Sequence, residues 1–164
     1  MIVLGIDPGL AILGWGVVET DGHRLRLMDY GTVTTQAGTP IPDRLRAIQM
    51  GVREVIVQYK PDEIAFEELF FARNVTTALQ VGAARGAAII AAVEHTENLF
   101  EYTPMQIKQA VAGYGKADKK QMQQMVKLLL SMEKIPSPDD AADALAAAIT
   151  HAHTSHSRQL FRMK

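Results

Sequence analysis

Acidic side chains follow two apolar segments of this sequence. Asp7 ends a run of mostly branched apolar residues, 2–6, and Glu67 and Glu68 end a second apolar run that begins near Glu63. Such runs are typical of strands that are buried on both faces. A carboxylate at the edge of a buried strand is costly without a partner. These acids therefore indicate either structural turn caps or ligands for a cation.

A third group of acids lies at the predicted last helix. Asp139 and Asp140 follow Ser137-Pro138, a pattern that predicts a helix start with serine as the N-cap, so a structural role would explain these two acids. Asp143 lies inside an alanine-rich apolar helix, where an unpartnered carboxylate is unfavourable. Helical spacing places all three acids on one face, where they repel one another unless a cation lies between them.

The elements predicted around these acids form one sheet. Three N-terminal strands are predicted as an antiparallel meander, followed by a helix over about 43–59 and a fourth strand from Glu63. A strand–helix–strand order implies a parallel crossover that places the fourth strand beside the first. Sites form at the carboxyl ends of such strands, so we expect Asp7 and Glu67 to meet there.

The second half of the chain is predicted to add one strand and four helices. The ranges are a helix over 74–95, a strand over 98–102, and helices over 104–111, 118–132 and from 138 onward. The predicted class is therefore α/β, with a five-stranded mixed sheet flanked by helices on both faces. The length of 164 residues predicts a single domain, 1–164.

Composition narrows the possible functions. A hydrophobic content of 48% excludes a disordered chain, and the absence of cysteine excludes disulfides and thiolate chemistry. No segment is expected to be long and apolar enough to span a bilayer, and no secretory signal is recognised, so a cytoplasmic location is expected. The segment 103–132 carries five lysines and one acid. This patch indicates either a phosphate-binding surface or a solvated helix face.

Carboxylates gathered from separate segments suit a hard divalent cation, above all Mg²⁺. A pair of such ions is the recurring device for phosphodiester hydrolysis, and the lysine patch would bind the phosphates. Three C-terminal histidines, His151, His153 and His156, could also form a metal site. Their spacing lacks an i, i+4 pair, and histidines are favoured near a helix C-terminus in any case, so we favour a structural role.

Five motifs occur in order along the chain. They are Gly5-Ile6-Asp7-Pro8-Gly9, Ala65-Phe66-Glu67, residues 70–74, Gln106-Ile107-Lys108-Gln109 and residues 141–146. Together they resemble the RuvC family of Holliday-junction resolvases, over residues 1 to about 153. The resemblance implies an RNase H-like fold, a homodimer, and Mg²⁺-dependent symmetric nicking of four-way DNA junctions in homologous recombination and DNA repair. Two Mg²⁺ ions per site are expected, with Mn²⁺ as a substitute, and the resemblance also implies contact with a branch-migration helicase complex.

By position, the resemblance assigns catalytic and metal-binding roles to Asp7, Glu67, Asp140 and Asp143. Asp139 and Glu68 remain additional candidates beside them. The DNA-binding residues that it implies are Phe70, Arg73, Lys108, Lys116, Lys119 and Lys120.

Two further features fit a junction enzyme. An aromatic side chain just after Glu67 could wedge between bases at a strained crossover, and we favour this role for Phe70. For Phe71, a place in the hydrophobic core is an equally good interpretation. The small side chains of the helix 74–95 allow close approach, either to a second copy of the chain or to its own sheet.

Three alternatives stay open at this stage. A nucleotide-phosphate module of the actin, sugar-kinase or Hsp70 type also uses a strand–Asp–Gly turn, but it needs two such halves and the sequence has no repeat. Another RNase H-like nuclease could act on an RNA/DNA hybrid or on RNA. A DNA-binding module whose acids are only structural would have no catalytic activity.

Overall fold

The computed structural model describes residues 1–69, 75–154 and 157–164. Its elements are β1 (Ile2–Asp7), β2 (Ile12–Thr20), β3 (Leu25–Thr34), α1 (Ile41–Tyr59), β4 (Glu63–Glu67), α2 (Val75–Val93), β5 (Leu99–Tyr102), α3 (Pro104–Ala112), α4 (Lys119–Leu129), α5 (Asp139–His153) and a short 3-10 helix (Arg158–Phe161). The predicted order of strands and long helices is confirmed, with boundaries that differ by a few residues.

The five strands form one mixed sheet in the order β3-β2-β1-β4-β5. Strands β1, β2 and β3 pair antiparallel, whereas β1 pairs parallel with β4, and β4 pairs parallel with β5. The predicted fold class is therefore confirmed. Ile6 is the partner of Phe66 in the parallel register, so the acids that follow them, Asp7 and Glu67, end neighbouring strands at the same edge.

Helices cover both faces of this sheet. Side chains of β1 alternate between the two faces and so pack in two separate cores. Val3 packs in a core that α3, α4 and α5 complete, whereas Leu4 and Ile6 pack in a core that α1 and α2 complete. All three side chains are fully buried. The apolar run that predicted a strand buried on both faces is thus explained by a helical layer on each side.

Glycines allow α5 to lie directly on β1 and β2. A Cβ atom at Gly5 would overlap the carbonyl oxygen of Ala144, and one at Gly14 would overlap the carbonyl oxygen of Asp140. Any side chain at either strand position would push α5 away from the sheet. The close approach therefore fixes the height of the acidic residues of α5 above the strands.

Helix α5 begins one residue later than the sequence predicts. Pro138 is the N-cap, with an extended backbone at ψ 178°, and no side chain caps the helix. The prediction of Ser137 as N-cap is wrong because Pro138 itself lies outside the helix. Asp139 and Asp140 occupy the first turn, where acids are favoured by the helix dipole.

Helix α2 is apolar and much of it is exposed. Among the described residues it is the one helix long and apolar enough to cross a membrane, so the expectation that no segment meets these two criteria is wrong. Its central Arg85 forms an ion pair of 2.5 Å with Glu101 of β5, which would be unfavourable in hydrocarbon. Its alanines 84, 88, 91 and 92 are buried, whereas its outward face carries the exposed side chains of Val75, Leu79, Ile90 and Val93.

Candidate active site

The candidate active site lies beside the ends of β1 and β4, where α3, α4 and α5 surround a cavity of about 280 Å³. Two acids, two lysines and four apolar side chains line it. They are Glu67, Pro104, Ile107, Lys108, Lys119, Met122, Asp143 and Ala146.

Asp7 is the most strongly perturbed acid at this site. Burial, together with the charges of Glu67, Asp143 and Asp140, raises the pKa of Asp7 from 3.8 to about 8, while Lys119 acts in the opposite direction. All four acids that the resemblance assigns as ligands therefore lie close enough to interact electrostatically. Asp139 is absent from the charges that raise this pKa.

The register of β1 and β2 explains how Asp140 reaches Asp7. Gly14 of β2 is the antiparallel partner of Asp7, and the carbonyl of Asp140 rests directly on Gly14. Because α5 contacts the sheet at that point, its first turn is held beside the end of β1.

Glu67 and Asp143 are also perturbed. Burial and then the charge of Asp143 raise the pKa of Glu67 from 4.5 to about 7, opposed by Lys108 and Lys119. Burial raises the pKa of Asp143 as well, and the strongest opposing effect is the charge of Lys119. Carboxyl groups crowded in this way retain protons unless positive charge is supplied.

Lys119 supplies part of that charge from the first turn of α4. The start of this helix is fixed by a capping box, in which Asp118 accepts from the Gln121 backbone N–H and the Gln121 side chain accepts from the Asp118 N–H. The Lys119 ammonium then lies 3.0 Å from Asp139 Oδ2 and 3.6 Å from Asp143 Oδ2. Sequence reasoning missed this contact, because it depends on how α4 packs against α5.

The structure separates the remaining candidate residues. Lys108 lines the acidic cavity, whereas Lys120 lines a second cavity of about 340 Å³ beside Tyr114. Lys116 lies in the connection between α3 and α4 and lines neither of these two cavities.

Glu68 is exposed and does not line the acidic cavity. Phe70, Arg73 and Phe71 lie outside the described residues.

The donor set of the site fits a hard divalent cation. Across residues 1–69, 75–154 and 157–164, no three acidic or histidine side chains already have metal-binding geometry. In the same part of the chain, however, Asp7 and Glu67 are largely buried carboxylates without an ion pair, and their pKa values are raised by burial and by neighbouring charge. Mg²⁺ prefers oxygen ligands, and its positive charge would stabilise the ionised form of these carboxylates.

The fold and the site together define a class of protein. Acids end the two central parallel strands of a five-stranded mixed sheet, and further acids project from the helix that packs across them. This is the RNase H-like fold with an acidic site of the kind that nucleases use.

Comparison with known proteins narrows the class to a family. A family model described as "Crossover junction endodeoxyribonuclease RuvC" matches residues 3–151. The chain therefore belongs to the RuvC family. It is 54% identical over 164 residues to the crossover junction endodeoxyribonuclease RuvC of Alkaliphilus oremlandii, with complete coverage of both chains.

Solved structures agree with this assignment. The Thermus thermophilus RuvC in complex with a Holliday junction substrate has a TM-score of 0.90 and 42% identity, covering 94% of each chain. The yeast mitochondrial Holliday junction resolvase has a TM-score of 0.68 at 15% identity, covering 98% of this chain and 82% of its own. The second likeness shows the shared fold alone.

Proposed function

We propose that this chain is a Holliday-junction resolvase that cuts four-way DNA junctions by paired symmetric nicks in homologous recombination and DNA repair. The observation that carries this proposal is the convergence of Asp7, Glu67, Asp140 and Asp143 at one edge of the sheet, in a member of the RuvC family. Membership of this family argues against the nucleotide-phosphate module considered from the sequence.

Asp7, Glu67, Asp140 and Asp143 are proposed to hold Mg²⁺, with two ions per site and Mn²⁺ as a substitute. Bound ions of this kind supply positive charge that stabilises the charge developing at a scissile phosphate. The protein contributes four oxygen donors whose positions are set by two strand ends and one helix. Burial and neighbouring charge raise the pKa values of Asp7 and Glu67, and positive charge from bound ions would lower these pKa values and favour the ionised carboxylates.

The lysines of the proposed site would bind the DNA backbone. Lys108 and Lys119 project from α3 and α4 into the wall of the acidic cavity, so their ammonium groups can hold a phosphate beside the acids. Lys116 and Lys120 would extend this basic surface along an arm of the junction. Phe70 and Arg73 are proposed to contact bases and backbone at the crossover, as the family resemblance implies.

The exposed apolar face of α2 is the proposed homodimer interface. Two strands of like polarity must be cut at symmetric points, and a two-fold dimer supplies two identical sites. Val75, Leu79, Ile90 and Val93 leave a large apolar surface that a second copy would bury. We further propose that the chain acts as one nuclease domain in the cytoplasm, with a branch-migration helicase complex as its partner.

A cleavage assay with matched variants tests the proposal. Wild-type protein should nick a synthetic four-way junction with Mg²⁺ and should not do so in EDTA. Asp7→Asn should abolish nicking while junction binding survives, because the substitution removes a ligand without removing the DNA-binding lysines. Asp43→Asn, an exposed aspartate of α1, is the control and should cut like the wild type.

The same assay separates the alternatives. Retained cleavage by Asp7→Asn would exclude the proposed ligand role of Asp7. Faster cleavage of an RNA/DNA hybrid than of the junction would identify a different RNase H-like nuclease. Junction binding without cleavage by the wild type would identify a non-catalytic DNA-binding module.

A further inference from the structure

Asp139 and Asp143 lie one helical turn apart on α5, where two like charges repel. The structure places a cation between them, the ammonium of Lys119, 3.0 Å from Asp139 Oδ2 and 3.6 Å from Asp143 Oδ2. This cation comes from a different helix. The repulsion within α5 is therefore relieved by the chain itself.

Asp139 is docked on α4 through both of its oxygens. Oδ2 faces Lys119, and Oδ1 accepts a hydrogen bond of 2.7 Å from the Gln123 side-chain amide. Lys119 and then Gln123 lower the pKa of Asp139, so it stays charged. Asp139 thus points at α4, whereas Asp140 and Asp143 interact with Asp7.

Asp143 has two possible cationic partners. It is the second partner of the Lys119 ammonium, and it is one of the proposed ligands of the divalent cation. An ammonium group this close to the carboxylate repels a divalent cation that approaches the same oxygens. The ammonium and the metal therefore compete for Asp143.

We propose that Asp139 is a positioning residue, which holds the Lys119 ammonium against Asp143 as an internal counter-ion that a divalent cation displaces. This inference rests on the proposed function, because it concerns the same metal site. Displacement releases Lys119 toward a DNA phosphate, and a phosphate that draws Lys119 away opens Asp143 to the metal. Metal binding and junction binding consequently favour each other.

The test measures binding of Mn²⁺ alone to the DNA-free protein by electron paramagnetic resonance. Lys119→Met keeps the aliphatic stem and removes the competing charge, so Mn²⁺ should bind about twofold to fivefold more tightly, as expected for loss of a solvent-exposed ion pair. Lys134→Met is the control, since Lys134 lies in a groove beside β3, away from the acidic cavity. Its effect should be smaller.

The Asp139→Asn variant tests whether Asp139 holds Lys119 in position. In that background Lys119 is no longer held, so Lys119→Met should change Mn²⁺ affinity by less than about 1.5-fold. A general effect of charge predicts instead the same gain in both backgrounds. Thermal unfolding of each variant checks that the proteins are folded.

The outcomes separate this inference from the proposed function. Equal Mn²⁺ affinity of the wild type and Lys119→Met overturns the inference alone, as does a gain that persists with Asp139→Asn. Failure of every variant to bind Mn²⁺ overturns the proposed metal site together with the inference. A gain that depends on Asp139 supports the exchange of Lys119 for the metal.

Discussion

The Nε2 atom of His151 lies 2.5 Å from Oε2 of Glu63, in a buried pair at the end of β4 opposite to Glu67. The other ring nitrogen, Nδ1, lies 2.7 Å from the hydroxyl of Tyr102. Burial lowers the pKa of His151, although Glu63 acts in the opposite direction. The pair ties the C-terminal part of α5 to the start of β4. It thereby helps to fix the register of the same helix that carries Asp143.

Tyr102→Phe should lower the free energy of unfolding by about 1–3 kcal/mol, because it leaves Nδ1 of the buried His151 without its hydrogen bond to this hydroxyl. Tyr114→Phe is the control and should change stability by less than about 0.5 kcal/mol, because Tyr114 is exposed. Urea unfolding at pH 7.5 measures both. Equal stabilities would show that this hydrogen bond does not anchor α5.

Asp7→Asn should stabilise the metal-free protein at alkaline pH. The pKa of Asp7 rises from 3.8 to about 8 in the folded state, so the folded protein binds this proton more tightly than the unfolded chain. Stability from this group is therefore present at low pH and is lost as pH rises from about 4 to about 8. The gain in free energy of unfolding from Asp7→Asn should grow over that window to several kcal/mol, since each pKa unit corresponds to about 1.4 kcal/mol.

Chemical unfolding in EDTA at several pH values measures this advantage of Asp7→Asn. Asp43→Asn should show no such trend, since Asp43 is exposed on α1. An advantage that is constant with pH would mean that Asp7 ionises normally in the folded protein.

Gly14→Ala should destabilise the protein by about 3 kcal/mol or more and abolish nicking. The new methyl group would overlap the carbonyl of Asp140, so α5 must move away from the end of β1. Gly86→Ala on α2 has open space around its Cβ within one chain and should gain about 0.5–1 kcal/mol from helix propensity. It is a control for stability alone, because it lies on the face proposed as the dimer interface. Thermal unfolding measures both variants, and junction cleavage measures Gly14→Ala. Wild-type cleavage by Gly14→Ala would contradict the role of this contact.

Lys108→Ala should weaken junction binding and reduce its dependence on salt. Removal of one phosphate contact lowers the slope of log affinity against log salt by about 0.9. Lys134→Ala is the control, because Lys134 lies beside β3 in a groove with Leu25 and Tyr30, away from the acidic cavity. Binding in EDTA at several salt concentrations measures the slopes. An unchanged slope would remove Lys108 from the DNA interface.

The sequence predicts the sheet well because its strands differ in pattern. The buried run before Asp7 predicts a central strand, and β1 lies in the middle of the sheet, between β2 and β4. Asp143 is predictable for a related reason. A carboxylate amid alanines on a packed helix needs a partner, and that requirement can be recognised without coordinates.

Contacts between helices are not predictable in the same way. The pairing of Lys119 with Asp139 depends on the packing of α4 against α5, for which the sequence has no local signal. By residue type His151 could bind a metal, whereas the structure buries it against Glu63 and Tyr102, and His156 lies outside the described residues. The contact of Gly14 with α5 did leave a signal, since glycine inside a strand pattern often marks a close backbone approach.

Gly5 and Gly14 set the spacing between α5 and the sheet, because backbone meets backbone there with no compressible side chain between. Widening the space between Asp7 and Asp140 would require α5 to lift from the sheet as a rod, against its fully buried apolar face. Rotamer changes alone cannot move these two main-chain segments apart. The distance between the main chains of these two parts of the site is thus set where the backbone of α5 meets the two strands.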